Sequence, residues 1–392
     1  MREKEKNRHY FDWAASAPSD NSASDAAADT AVSRVFANPS STHREGRAAK
    51  DALQNARERC ASVLRVPPET LFFTGGGTES NSVALLSNLT REGKGRVIAS
   101  LAEHSSIREG METLKKMGKP TGSVAVDSSG KVTVENLENA LAKYDDVRFC
   151  SIMAVNNEIG SVTDIASLVA VLRGNKKNSY ALFHCDLVQA AGKIPLDIAG
   201  WGIDSAAISA HKIGGPHGIG LLYLRDKSRV DVLYKGGGQE SGIRGGTENI
   251  QGAMALASCL EKRAGTAETR ENHDRALCRM NRLISAITKT GRCEIIPKER
   301  ASGTDGFSPY ILQAAFKDIP GEVMARALDD LGFAVSTGSA CSSASPERPV
   351  LQAMGVAENL RLEGIRVSQG YATTDEEIEL LIDAIGEVLK FL

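Results

Sequence analysis

The sequence predicts an α/β protein: a large domain on a mainly parallel sheet covered by helices, followed by a smaller α+β domain. Two observations predict it. Strand-length apolar runs alternate with helix-length segments through most of the 392 residues. These runs are continuous rather than alternating, the mark of strands buried on both faces between helix layers.

In chain order, residues 43–64 have helical spacing, with Ala48, Ala52, Leu53, Ala56, Cys60 and Val63 on roughly one face. Strands are expected at residues 71–73, 97–99, 124–126, 149–155, 181–183, 206–208 and 219–224. The pattern changes after Gly236-Gly237-Gly238. A long helical region from about Thr247 to Thr290, broken near Gly265, leads to strands near 311–316 and 364–368. Thr374-Asp375-Glu376-Glu377 is a capping-box sequence that opens a last helix. The expected division is residues 1–14 joining the small domain, 15–260 as the large domain, and 261–392 as the small domain carrying Cys341.

Composition excludes several classes. A chain 42% hydrophobic and 24% charged is an ordinary globular protein. A formal charge of -2 offers no field for nucleic acid or an anionic membrane, so neither is an expected partner. Cysteines 60, 150, 185, 259, 278, 293 and 341 show no CxxC and no regular spacing, against a disulfide framework or a metal site. Residues 1–8 are charged and do not read as a secretory signal, and no apolar run approaches the ~20 residues of a membrane span. A cytoplasmic setting is expected.

Several residues carry chemistry. Cys341 stands among small residues in Ser336-Thr-Gly-Ser-Ala-Cys-Ser-Ser-Ala344, a composition that leaves a thiolate reachable as a nucleophile, or is simply a loop. Lys212 follows a core strand beside a glycine-rich loop. Such a partly desolvated amine suits Schiff-base formation, although a surface lysine at a strand end reads the same way. Asp186 ends another buried strand, where a carboxylate needs a cation or caps the next helix. Thr74-Gly75-Gly76-Gly77-Thr78 lies between strand and helix and lacks the Gly-Lys-Ser/Thr of a nucleotide loop, so it fits a single phosphate. His104 and Asn157 follow strands in the same way, as a stacking acid/base and a polar contact, or as turn residues. Ligand sites in parallel sheets lie outside the carboxyl ends of the strands, so all of these can meet in one crevice. Together they form a phosphate anchor, a stacking ring, a ring-nitrogen acid and a Schiff-base amine, which is the set pyridoxal 5'-phosphate (PLP) requires.

With these residues in place, the chain resembles the cysteine desulfurases among the class V, fold-type I PLP-dependent transferases. The resemblance runs from Tyr10-Phe11-Asp12-Trp13-Ala14-Ala15 through Asn38-Pro39-Ser40-Ser41, Glu103-His104, Asp186 and Gln189, Ser209 to Lys212 and Gly236 to Glu240. It continues through Arg244-Gly245-Gly246-Thr247-Glu248-Asn249, the Cys341 loop and Ile365-Arg366-Val367-Ser368. The long stretch between Cys341 and Arg366 is similar to the NifS/IscS-like branch.

The resemblance implies that Lys212 forms the Schiff base, Asp186 bonds the pyridine nitrogen, Gln189 contacts the ring hydroxyl and His104 stacks on the ring. It implies a phosphate site of Gly77, Thr78, Ser209 and His211, joined by Thr247 from the second subunit of a homodimer. Asn157 and Arg366 would hold L-cysteine, Arg366 by its α-carboxylate. Lys212 would move the Cα proton, His104 would act as acid/base, and Cys341 would take the substrate sulfur as a persulfide, leaving alanine. The sulfur would pass to an acceptor or scaffold protein, for iron–sulfur cluster assembly or tRNA thiolation. The alternative is another class V enzyme, such as an aminotransferase or a selenocysteine lyase. Ser241, the Pro346/Pro349 region and the 171–180 region depart from the usual family pattern.

Overall fold

The computed structural model describes residues 8–20, 35–264, 266–303, 306–338 and 348–392. Cys341 and Pro346 lie outside the described residues. The strands in chain order are β1 (His9–Tyr10), β2 (Leu71–Thr74), β3 (Arg96–Ser100), β4 (Thr121–Val124), β5 (Val147–Ser151) and β6 (Leu182–Asp186). They continue with β7 (Ser205–Ser209), β8 (Gly220–Leu224), β9 (Cys293–Ile296), β10 (Ile311–Phe316), β11 (Phe333–Ala334) and β12 (Gly364–Ser368).

The large sheet has the order β2-β8-β7-β6-β5-β3-β4. Its pairs from β7 to β4 are parallel, and β8 runs antiparallel to both its neighbours. Every residue of β5, β6, β7 and β8 is buried, which is why these segments read as unbroken apolar runs. At the sheet edge that signal fails. The strand expected at 124–126 is displaced to Thr121–Val124, because pairing with β3 from Val97↔Thr121 onward sets its position and Thr121, Gly122 and Ser123 are not apolar. The run expected at 149–155 splits: β5 ends at Ser151, and Ile152 and Ala154 continue beside β6 by donating to His184 and Asp186 carbonyls.

Helix Arg44–Leu64 starts at His43, whose Nδ1 accepts from Gly46 N. It buries Ala49, Leu53, Ala56, Cys60 and Leu64, so the buried stripe includes Ala49 rather than the expected, exposed Ala48. Adjacent alanines are equivalent by type, and packing alone selects between them. Helices Ile250–Ala264 and Thr266–Lys289 pack into different cores. The first contributes Ala253, Leu256, Ala257 and Leu260 to the core under the large sheet. The second contributes Met280, Leu283, Ile284 and Ile287 to a separate core over β9, β10 and β12. We therefore place the domain boundary at the junction of these helices, beyond residue 260.

The small sheet is antiparallel, in the order β12-β10-β9, and helix Asp375–Phe391 closes it with the expected Thr374–Glu377 capping box. The N-terminal segment is a strap between the two cores. β1 pairs with β11 and Asp12 bridges Ser368, while Ala17 and Asp20 donate to carbonyls of His211 and Gly214. In the 171–180 region Asn178 is buried, and its side chain stitches Tyr144 O to Val147 N at the start of β5. Among the described residues, no helix is long and apolar enough to cross a membrane.

One buried ion pair fixes the end of β2. Arg57 holds both oxygens of Glu240 at 2.8 and 2.7 Å, and Glu240 also accepts from Phe73 N at 2.7 Å. The Glu240 side chain is 1% exposed. Removing one partner of a buried pair strands the other charge and costs about 3–5 kcal/mol. Arg57→Ala is expected to lose about that much stability in denaturant unfolding of the apo protein, by roughly 3–5 kcal/mol. The double change Arg57→Met with Glu240→Gln should lose less, since no charge is left alone.

Candidate active site

Strands β2, β3, β5, β6 and β7 all point the same way, and the segments leaving their carboxyl ends meet at one edge of the large sheet. A cavity of about 210 Å³ opens there. It is lined by Gly77, Thr78, His104, Asn157, Asp186, Gln189, Ser209, His211, Lys212 and Arg366. Thr247 is exposed and does not line this cavity of its own chain.

The floor is Asp186, 3% exposed, with no lysine or arginine bridging it among the described residues. Amides hold it instead. Asn81 Nδ2 donates to Oδ2 at 2.7 Å and Val188 N donates to Oδ1 at 2.9 Å. The Asn81 amide is itself oriented by His184, whose Nε2 lies 2.9 Å from Oδ1 while its Nδ1 meets Ser205 Oγ at 2.8 Å. Burial pushes His184 down to about 3, so it is a neutral donor here. Asn81 Nδ2 also donates to Ser106 Oγ at 2.9 Å, and Ser106 Oγ meets His104 Nδ1 at 2.9 Å.

His104 is both a helix cap and a cavity residue. It caps helix Ser105–Lys116 by accepting from Ser106 N through Nδ1. Nδ1 is thereby an acceptor, and a neutral ring carries its proton on Nε2. Burial lowers its pKa, with Asp186 opposing and Lys212 adding to the effect.

Lys212 is held by the N-terminal strap. Its Nζ donates to the carbonyls of Ala14 and Ala15, both at 2.6 Å. The same Ala14 carbonyl accepts from Gln189 Nε2 at 2.9 Å, and Gln189 Oε1 accepts from Lys193 Nζ at 2.6 Å. Burial pushes Lys193 down to about 7, with Lys212 and Arg366 adding to it. Arg366, 1% exposed, donates to Asp12 Oδ1 at 2.6 Å and to the Asn157 carbonyl at 3.0 Å. Its Nε is buried without a partner among the described residues.

The donor set fits PLP. A buried, cation-free carboxylate matches a protonated ring nitrogen, and a lysine amine stands in the same cavity. The phosphate end is a cradle. Helix Gly77–Leu86 begins so close to the end of β6 that a Cβ at Gly77 would lie 2.6 Å from Val188 Cγ2. Its first amides, Thr78, Ser209 and His211 surround the opening. Burial, then Lys212, pushes His211 down to about 4.

Sequence reasoning assigned no role to Asn81, Lys193, Asp12 or the Ala14 and Ala15 carbonyls. Asn81 stands three residues after Thr78 on the same helix face, so that spacing held a signal, whereas Lys193 meets Gln189 through a turn that no spacing rule marks. Backbone carbonyls carry none.

Glu103 is fully buried beside this network, accepting from Met153 N at 2.7 Å and Ser151 Oγ at 3.2 Å. Burial, then Asp186, pushes it up to about 8 from 4.5. Between those values the unfolded chain has released this proton and the folded chain keeps it, so folding weakens as pH rises through the window. Glu103→Gln has no proton to keep. The stability of the wild type relative to Glu103→Gln should therefore fall between about pH 5 and about pH 8 in denaturant unfolding, and a pH-independent difference would contradict the shift.

The Aminotransferase class-V family model matches residues 9–381. Cysteine desulfurase IscS of Vibrio cholerae serotype O1 is 35% identical over 384 residues, 96% of this chain and 91% of that protein. Cysteine desulfurase IscS of Dictyoglomus turgidum is 33% identical over 398 residues, covering 99% and 96%. A solved NifS-like protein superposes with a TM-score of 0.88 at 33% identity, over 98% of this chain and 100% of that one. With full-length likeness in sequence and in fold, the chain belongs to the class V aminotransferase family of PLP enzymes, among its cysteine desulfurases.

Proposed function

We propose that this protein converts L-cysteine to L-alanine and carries the released sulfur on Cys341 as a persulfide for an acceptor protein. The observation that carries the reading is Arg366. It is a buried guanidinium whose Nε has no partner among the described residues, and it lines the same cavity as Lys212 and Asp186. A planar donor of that kind recognises an α-carboxylate and places the amino acid over the lysine.

When bound, PLP supplies the electron sink that makes the Cα proton of the substrate removable. Asp186, oriented by Asn81, would hold the ring nitrogen. Lys212 sits where the Ala14 and Ala15 carbonyls fix its Nζ, and on release from them it takes the Cα proton and returns one. His104 offers the proton on Nε2. The Cys341 thiolate attacks the substrate sulfur: the S–S bond forms, the Cβ–S bond breaks, and Cβ gains a proton. L-cysteine and the Cys341 thiol thus become L-alanine and a Cys341 persulfide, with no other oxidant or reductant.

A homodimer with Thr247 reaching the partner's phosphate site belongs to the same reading. Thr247 is exposed, and nearby Tyr234 is 80% exposed, a large apolar ring for a subunit interface to cover.

Incubation with L-cysteine followed by intact-mass analysis should add the mass of one sulfur at Cys341, and an unmodified Cys341 under turnover would sink the proposal. Cys341→Ala is expected to lose sulfide release, whereas an aminotransferase would keep turning over. Arg366→Lys keeps the charge and loses the planar fork. Its kcat/KM for L-cysteine should drop by roughly 10- to 100-fold, as loss of a charged hydrogen bond implies.

A further inference from the structure

Gln189 and Lys193 lie on the turn that leaves β6. Gly192, with φ 70, takes the left-handed conformation that returns Lys193 beneath Gln189. Both are buried, at 7% exposure for Lys193 and 2% for Gln189. Nζ donates to Gln189 Oε1 at 2.6 Å, and Gln189 Nε2 donates at 2.9 Å to the Ala14 carbonyl, the one that also accepts from Lys212.

The two ends of a glutamine amide are nearly isosteric, so its partners decide which end faces the cavity. A lysine amine donates N–H to an oxygen, and as an ammonium it has no lone pair to do otherwise. Lys193 therefore draws Oε1 away from the cavity. Nε2 is left with one N–H on Ala14 and a second available to the cavity that Gln189 lines.

We propose that Lys193 is a positioning residue that sets the polarity of Gln189, making it a donor to the ring oxygen of the bound cofactor. This rests on the reading of Lys212 as the Schiff-base lysine. A donor there stabilises the ring oxygen as an anion and lowers the basicity of the adjoining Schiff-base nitrogen. The charged groups facing Lys193 are Lys212 and Arg366, both cations. Loss of the Lys193 charge would shift the Schiff base in the same direction, so the test has to separate charge from amide orientation.

The full-length, PLP-loaded protein is titrated by its visible Schiff-base absorbance, with no substrate present. Lys193→Met is expected to raise the apparent pKa by about one unit, a tenfold change in the proton equilibrium. Gln189→Leu should raise it similarly, and Lys193→Met should add little in the Gln189→Leu background, because residues acting through one contact are not additive. Lys193→Gln, a neutral donor, should stay nearer the wild type than Lys193→Met does. An equal Lys193→Met shift with and without Gln189 overturns the proposal in favour of charge acting through space, and so does the absence of any shift. Should Lys193→Met not fold, Gln189→Glu gives the second reading. It has no N–H for the ring oxygen, and a wild-type pKa in it overturns the proposal. A wild-type protein with no Schiff-base band overturns the cofactor reading and this proposal together, while a normal band without a Lys193 effect overturns this proposal alone.

Discussion

A buried carboxylate that no lysine or arginine bridges among the described residues is the constraint around which the site is arranged. Asp186 ends a strand that is covered on both faces, where a bare charge is costly unless hydrogen bonds hold it. The Asn81 amide and the Val188 N–H do so, and the amide is placed by a group further out. His184, kept neutral by burial, fixes which end of Asn81 faces Asp186. Through Ser106 the same amide reaches His104. The acid and the imidazole are thus tied to one rigid chain of donors and acceptors before any ligand enters.

The second organising element is the strap of residues 8–20. Its first residues pair through β1 with β11, and its later ones lie on the large domain. Between those anchors Asp12 binds Arg366, and Ala14 and Ala15 bind Lys212. Arg366 and Lys212 are therefore both set by the same short segment. Arg300 joins the two domains from the other side. Fully buried, it donates to the carbonyls of Ile159 and Ser308, holding the loop that carries Asn157. Burial pushes it down to about 9.

Much of this was legible in the sequence. Buried parallel strands leave unbroken apolar runs, and the residues just past their ends are where a ligand must sit, so Lys212, Asp186, His104 and Asn157 stood out by position. Where burial is one-sided the signal weakened: β4 at the sheet edge begins three residues before its apolar run, and Ala48 cannot be told from Ala49 by type. Asn81 and Lys193 were passed over because each acts on another side chain rather than on a ligand. Thr247 is exposed and does not line the cavity of its own chain.

The sequence by itself determined which groups exist and the order in which strand ends deliver them, because period and apolarity are local properties. Only the tertiary structure decided how those groups are held. The amide keyed by His184, the amide keyed by Lys193 and the carbonyls of the strap depend on contacts between residues as far apart as Ala14 and Lys212. A hydrogen bond has a direction, and a list of residues has none until the chain is folded.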